Sequence, residues 1–175
     1  DGPVEGATVV LQHPTTDHWA RAYAEMKATL EGVRSRPGPI VALWPGNEAG
    51  SDGTSKAIRE AQRWLHTVRN LPPVRFLKLL TQSRVLVGNS SVGIRECSYL
   101  GVPVVNIGTR QRGRERAGNV VDVPAFEATQ IASALTQVAL PTGSRYTRST
   151  LYGDGAAGRR MGEVLSGLCV DTSQS

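Results

Sequence analysis

The chain has 175 residues, 39% of them hydrophobic, and 20 Lys and Arg against 15 Asp and Glu give a net charge of +5. This composition predicts one globular domain and excludes a disordered tail, a collagen-like fibre and a coiled coil. No apolar run approaches the ~20 residues of a membrane span. The start lacks the basic and apolar regions of a signal peptide, so we expect an internal fragment or a processed chain. Cys97 and Cys169 are too few for a disulfide scaffold and fit a reducing, cytoplasmic compartment.

Short apolar runs alternate with amphipathic stretches along the chain. In chain order they predict a strand at 8–12, a helix at 17–33, a strand at 40–44, helices at 57–65 and 72–80, a strand at 85–87, a helix at 91–100, a strand at 102–107, and helices at 125–139 and 158–168. We expect Asp17 to cap the first helix, and the buried stripe of that helix to contain Trp19, Tyr23, Met26, Leu30 and Val33. Continuous apolar strands joined by such helices predict an α/β fold, a parallel sheet covered on both faces.

Four loops follow predicted strands and therefore deserve inspection for ligand binding. They are residues 12–17, 45–52, 88–93 and 108–118. In open parallel sheets, ligands bind beyond the carboxyl ends of the strands. We therefore expect these loops to converge on one site.

The loop at 88–93 joins a strand to a short helix and is rich in small hydroxylic residues. The free N–H groups of a helix start suit a phosphate, and Ser90 and Ser91 can add hydroxyl donors. Asn89 or Ser90 acting only as a helix cap explains the segment equally well. Glu96 lies about one turn further on, where its carboxylate can accept two ribose hydroxyls or simply face solvent.

Four arginines occupy every second position of the following loop: Arg110, Arg112, Arg114 and Arg116. A guanidinium binds phosphate oxygens through two parallel hydrogen bonds, and one arginine facing the serine loop would complete a pyrophosphate site. We expect at least two of the four to be solvated. A nucleic-acid surface is disfavoured because the segment has no interleaved aromatic residues for base stacking.

Two other patterns receive a structural interpretation. Residues 153–158 match G-x-G-x-x-G but follow a polar stretch, so we interpret them as a loop before the last helix. The histidines and cysteines show no metal-ligand spacing, and no metal or other cofactor is expected. His18 and His66 are interpreted as surface groups, whereas His13, at the end of a strand, is better placed for a ligand.

The segments 87–96 (VGNSSVGIRE) and 101–111 (GVPVVNIGTRQ) resemble the UDP-N-acetylglucosamine 2-epimerases. The likeness is greatest to the hydrolysing branch, which feeds sialic-acid and related sugar synthesis. Residues 12–16 resemble that branch's His-Pro-Val-Thr segment, and residues 152–155 resemble its Tyr-Gly-Asp-Gly loop. The family's usual Pro-Asn-x-Asp-Ala-Gly loop here reads Pro-Gly-Asn-Glu-Ala-Gly at 45–50, with Gly46 at the asparagine position.

The resemblance implies a GT-B fold of two Rossmann-like domains with the active site between them. Residues 1–175 would form the C-terminal, UDP-binding domain, a three-layer α/β/α sheet, without the N-terminal domain. The resemblance implies roles for seven residues: the diphosphate for Ser90 and Ser91, the ribose for Glu96, the uracil for Phe76, nucleotide binding for Gly93, and the diphosphate and sugar end for His13 and Arg110.

The implied reaction eliminates UDP across the sugar C1–C2 bond, and water then adds to the glycal to give N-acetylmannosamine. The resemblance places the carboxylates that move protons in the absent domain, and leaves leaving-group binding here. Expected partners are UDP, a UDP-N-acetylhexosamine and the N-terminal domain, without nucleic acid or membrane, and with a homo-oligomer left open. The alternatives are the donor-binding half of a GT-B glycosyltransferase and a basic nucleic-acid-binding module.

Overall fold

Six parallel strands form one sheet in the computed structural model, which describes residues 5–141 and 143–168. The strands are β1 (Thr8–Leu11), β2 (Ile40–Leu43), β3 (His66–Val68), β4 (Val85–Gly88), β5 (Val104–Ile107) and β6 (Val120–Val123). Their order is β3-β2-β1-β4-β5-β6, and every neighbouring pair is parallel. This is the strand order of a Rossmann-like fold. The chain adds β2 and β3 on one side of β1 and then β4, β5 and β6 on the other side, so the order of addition reverses between β1 and β4.

Helices cover both faces of the sheet. They are α1 (Ala22–Val33), α2 (Ser51–Ala61), α3 (Pro73–Gln82), α4 (Ser91–Ile94), α5 (Glu96–Leu100), α6 (Ala128–Gln137) and α7 (Ala157–Ser166). Val10 packs with α1, α2 and α6 on one face, whereas its neighbour Val9 packs with α3 and α5 on the other. Successive strand residues point to opposite faces, so burial of both faces requires the continuous apolar runs seen in the sequence.

Gly88, the last residue of β4, allows β1 and β4 to end close together. Its φ is +143°, and a Cβ atom there would lie 2.0 Å from the carbonyl oxygen of Leu11. No side chain fits at that distance. The glycine therefore brings together the two strand ends between which the sheet reverses.

The first helix differs from the prediction at its start. Residues Thr16–Arg21 form a 3₁₀ helix, and α1 begins only at Ala22. Trp19 lies on that 3₁₀ turn and is 61% exposed, so its predicted burial is wrong, while Met26, Leu30 and Val33 are buried as predicted. The predicted cap Asp17 and the predicted surface group His18 have side chains outside the described part of the structure, and Cys169 lies outside it altogether.

Four further elements depart from the sequence pattern. The strands β3 and β6 were not predicted, because both lie at sheet edges and have partly exposed residues in place of a continuous apolar run. The single helix predicted at 91–100 is divided at Arg95, whose φ of −97° and ψ of −74° separate α4 from α5. Leu65 is buried as expected but follows the end of α2 at Ala61.

Candidate functional site

The carboxyl ends of the strands form one edge of the sheet, and the four loops singled out from the sequence all leave from it. They follow β1, β2, β4 and β5, all of which run parallel. After β1 the chain continues into α1 on one face, and after β4 it continues into α4 and α5 on the other. A crevice opens where two such connections diverge, and this is the usual ligand position in open α/β sheets.

Asn89 joins the loop after β4 to the loop after β1. Its side-chain Oδ1 accepts a 2.7 Å hydrogen bond from the His13 N–H, and its Nδ2 donates a 2.8 Å bond to the His13 carbonyl. Asn89 is completely buried. The sequence suggested only a helix cap for this residue, since the partner is 76 residues away and no local spacing reports it.

Ser90 is the N-cap of α4, as one of the two sequence interpretations proposed. Its Oγ accepts a 3.4 Å hydrogen bond from the N–H of Val92, and Ser91 opens the helix. Gly93 has a packing role, because a Cβ atom there would lie 2.9 Å from Cγ1 of Val104 in β5. The predicted contacts of Ser90, Ser91 and Gly93 with a ligand remain predictions.

Glu96, the first residue of α5, has a carboxylate that makes no hydrogen bond within residues 5–141 and 143–168. Its Oε2 is buried from solvent and is unpaired among these residues. The residue lines a pocket of about 330 Å³ together with Leu77, Tyr99 and Tyr152. A buried acceptor left unpaired costs ~1–3 kcal/mol, so the Glu96 carboxylate suits a ligand that brings hydroxyl donors to this pocket.

Phe76 and its neighbour Leu77 occupy different positions on α3. Phe76 is half-buried and packs against the hydrophobic cluster that contains Leu79 and Leu80. Leu77, in contrast, is 42% exposed and lines the pocket of Glu96. The structure therefore does not place Phe76 in that pocket, and its predicted uracil contact remains a prediction.

Arg110 lies beside the serine loop, as the sequence argument required of one arginine. Its Nη1 is 3.4 Å from the carbonyl oxygen of Asn89, and the residue is exposed. The next residue, Gln111, is buried and donates a 2.8 Å hydrogen bond to the same carbonyl. Gln111 thus anchors the loop after β5, and Arg110 extends from that anchor into solvent at the crevice.

Arg116 has a structural role that the sequence did not reveal. Its Nε lies 3.1 Å from a carboxylate oxygen of Asp122 in β6, and its Nη2 donates a 3.0 Å bond to the carbonyl of Gln111. The side chain is only 23% exposed. The guanidinium therefore folds back toward β6 and closes the loop. Arg112 and Arg114 are exposed, in agreement with the expectation that at least two arginines are solvated.

His13 follows β1 and lies between charged groups from two loops. Its Nδ1 is 3.4 Å from Oε2 of Glu48, on the loop between β2 and α2. Burial lowers the pKa of His13 below 6.5, the nearby Glu48 carboxylate acts to raise it, and Arg110 acts to lower it. The sequence singled out His13, but it did not indicate Glu48 as its neighbour.

Residues 153–156 form a loop before α7, as interpreted from the sequence, whereas Ala157 and Gly158 are already the first two residues of that helix. The Tyr152 hydroxyl donates a 2.9 Å hydrogen bond to the carbonyl of Glu115, which ties this segment to the loop after β5. Asp154 accepts a 2.9 Å bond from Arg160, and this guanidinium lowers the pKa of the Asp154 carboxyl to about 2. Tyr152, from the segment before the last helix, thus lines the same pocket as Glu96.

The described residues contain neither a cluster of metal-binding side chains nor a membrane-spanning helix. Within 5–141 and 143–168, no three His, Cys, Asp or Glu side chains lie together as metal ligands would. In the same residues, no helix has both the length and the apolar character needed to cross a membrane.

Comparison with known proteins identifies a family and several relatives of this chain. The family model described as UDP-N-acetylglucosamine 2-epimerase matches residues 3–166. A UDP-N,N'-diacetylbacillosamine 2-epimerase (hydrolyzing) from Legionella pneumophila is 27% identical over 166 residues, which are 93% of this chain and 43% of that protein. A UDP-N-acetylglucosamine 2-epimerase from Neisseria meningitidis is 29% identical over 140 residues, which are 77% of this chain and 36% of that protein.

A solved structure shares the fold. The crystal structure of UDP-GlcNAc 2-epimerase from Neisseria meningitidis, bound to UDP-GlcNAc, superposes with a TM-score of 0.70 at 17% sequence identity, over 93% of this chain and 45% of that one. The present chain therefore spans less than half the length of the relatives it matches, and corresponds to their C-terminal part.

Proposed function

The chain belongs to the UDP-N-acetylglucosamine 2-epimerase family, and on that premise we propose that its carboxyl-edge loops bind the UDP of a UDP-N-acetylhexosamine. The observation that carries the proposal is the Glu96 carboxylate, which makes no hydrogen bond to any residue that the structure describes and belongs to a residue lining a pocket just beyond the serine-capped helix α4. A ribose supplies the hydroxyl groups that such a carboxylate can accept. The Neisseria meningitidis relative, which shares this fold, is described as bound to UDP-GlcNAc.

The diphosphate is assigned to the crevice between β1 and β4. Ser90 and Ser91 border it at the start of α4, and Arg110 borders it from the loop after β5. Arg110 is the only one of these three with a formal charge, and an arginine fork matches phosphate oxygens in two-point contact. His13 completes the crevice from the side of β1.

In the proposed reaction this chain stabilises the leaving UDP. As the bond between the sugar C1 and the diphosphate oxygen breaks, negative charge grows on the diphosphate, and Arg110 and the serine loop offset it electrostatically. The carboxylates that take and return protons at the sugar are assigned to the other half of a longer, two-domain enzyme of the hydrolysing type. That assignment also makes this chain alone inactive.

Helix α7 supports a partner domain of this kind. None of its ten residues is buried, although Met161, Val164 and Leu165 lie on one side of the helix at spacings of three and four and are each at least 59% exposed. Exposed apolar stripes of this kind mark interaction surfaces. We assign the stripe to contact with the remaining half of the two-domain protein.

Ligand titration tests the site in the chain as it stands. With UDP, NMR titration is expected to shift the amides of Ser90, Ser91, Val92 and Gly93. Calorimetry is expected to show that Arg110→Ala weakens UDP binding about tenfold. A charge-assisted contact contributes ~1.5–3 kcal/mol, and for an exposed group such as Arg110 we expect the lower end of that range. Uridine, which has no diphosphate, is expected to bind both proteins equally.

Arg112→Ala is the matched control, since it removes the same charge from an exposed position two residues away. Equal losses in the two variants would indicate a diffuse basic surface and contradict a specific diphosphate site. Amide shifts confined to residues 153–158 would mean that UDP binds there and not at the loop after β4, and would contradict the proposal.

A further inference from the structure

The main chain of His13 is held at two points. Asn89, completely buried, receives the His13 N–H and donates to the His13 carbonyl at 2.7 and 2.8 Å. Hydrogen bonds to the peptide groups on both sides of the His13 Cα atom leave little freedom in the backbone, so the position of the imidazole depends on its side-chain torsions. Whatever contacts the ring therefore decides which nitrogen faces the crevice.

Glu48 contacts the buried side of that ring. Nδ1 of His13 is shielded from solvent and makes no hydrogen bond within the described residues, and the Oε2 atom of Glu48 lies 3.4 Å from it, within ion-pair distance. The His13 side chain as a whole is 22% exposed, so its exposed surface belongs to the other ring atoms. Glu48 thus addresses one nitrogen of the ring and leaves the opposite edge open.

The loop that carries Glu48 is packed against the loop that carries His13. Gly50 has a φ of +91°, and a Cβ atom there would lie 2.9 Å from Cβ of Pro14 and 3.1 Å from the carbonyl oxygen of Trp19. The Ser51 N–H donates a 3.0 Å hydrogen bond to the Glu48 carbonyl and starts α2. Backbone contacts therefore hold Glu48 beside His13.

We propose that Glu48 is a positioning residue that holds the His13 imidazole through Nδ1 and presents Nε2 to the diphosphate of the bound nucleotide. The inference rests on the proposed function. With its proton on Nδ1 and directed at Glu48, the neutral ring has a free lone pair on Nε2. On taking up a second proton, Nε2 becomes a donor to a phosphate oxygen, and Glu48 and the phosphate stabilise the imidazolium from opposite sides.

Two charged groups face the ring from different elements and act in opposite directions. Glu48 favours the protonated form, whereas Arg110, from the loop after β5, disfavours it. Removing the Glu48 charge leaves Arg110 and burial unopposed, so protonation of His13 is expected to require a lower pH. UDP brings negative charge beside Arg110 and is expected to move the midpoint the other way.

The titration of His13 in the chain without ligand tests the positioning directly. We expect Glu48→Gln to lower the NMR titration midpoint of His13 by about one pH unit, the lower end for a neighbouring charge because Glu48 is exposed. Glu48→Asp, which retains the charge, is expected to lower the midpoint less than Glu48→Gln does. Glu31→Gln removes an equal charge from the far end of α1 and is expected to leave the midpoint unchanged. Long-range ¹H–¹⁵N correlation is expected to show the Nδ1–H tautomer of the neutral ring.

Nucleotide binding tests the second half of the inference. In wild type, UDP is expected to raise the titration midpoint of His13, and in Glu48→Gln this increase is expected to be smaller. At a pH just below the wild-type midpoint, Glu48→Gln is also expected to bind UDP several-fold more weakly than wild type. An unchanged His13 midpoint in Glu48→Gln, or an Nε2–H tautomer, would overturn the positioning role even if UDP binds. Failure of wild type to bind UDP would instead overturn the proposed function, and the ligand-free titration would still report on Glu48.

Discussion

At the scale of single residues, Asn89 is the link between the two loops that form the crevice. Its side chain meets the main chain of His13, and its own carbonyl accepts hydrogen bonds from Gln111 and Arg110. One buried residue thus sets the relative positions of three loops. A change there is expected to reach every side of the candidate site.

We expect Asn89→Ala to lower the free energy of unfolding by ~2–6 kcal/mol, since it leaves the part-buried N–H and C=O of His13 unpaired at ~1–3 kcal/mol each. Urea unfolding measures this loss. Asn47→Ala, at an exposed position of the loop after β2, is the matched control and is expected to change the free energy of unfolding by less than ~0.5 kcal/mol. A loss below ~1 kcal/mol for Asn89→Ala would show that the loops are held by other contacts.

At the scale of secondary-structure elements, the helices differ in how they are attached. Helix α6 packs against α1 so closely that a Cβ atom on Gly32 would lie 2.8 Å from Ile131. Among the residues that the structure describes, helix α7 has no buried side chain. Two leucines on these helices therefore lie in opposite environments, with Leu135 fully buried and Leu165 66% exposed.

We expect Leu165→Ala to change the free energy of unfolding of this chain by less than ~0.5 kcal/mol. Leu135→Ala removes the same atoms from the core and is expected to cost ~2–5 kcal/mol, from the lost burial and the cavity left behind. Thermal or urea unfolding of the two variants compares them directly. A large loss for Leu165→Ala would mean that α7 packs against the sheet, and its stripe would then no longer support an interface with a partner domain.

At the scale of the whole molecule, this chain represents less than half the length of its relatives. The site described here borders a crevice at one edge of one sheet, so a nucleotide bound to it has solvent on its other side. Charge contacts at such a site are screened by water. Catalysis by electrostatic stabilisation works best where water is excluded, which requires a second wall.

Incubated with UDP-GlcNAc, the purified 175-residue chain is therefore expected to form no N-acetylmannosamine above a control without protein. A coupled assay for the free sugar measures the product, and UDP binding by calorimetry serves as the control that the chain is folded and active in binding. Product above the control would show that this half contains its own acid and base. In that case, the assignment of those groups to a partner domain would be wrong.

The sequence by itself determined the class of fold and the edge at which the site lies. Continuous apolar runs such as Val85–Val87 record burial on both faces, and the residues that follow such strands meet at one edge whatever the details of packing. Ser90 as a helix cap was also accessible, because its contact with Val92 is local. Arg110 as the arginine beside it was accessible because it follows β5 closely, and β5 ends at the same edge as its parallel neighbour β4.

Only the tertiary structure decided which side chains pair across that edge. The contacts of Asn89 with His13, of Glu48 with His13 and of Arg116 with Asp122 join residues from different loops and strands, and no periodicity records them. The edge strands β3 and β6 were not predicted for a related reason. Each has a neighbouring strand on one side only, has partly exposed residues and lacks a continuous apolar run. A hydrophobic pattern in a segment depends only on whether its residues are buried, not on which residues surround them. A contact between two particular side chains depends on where the folded chain places distant segments.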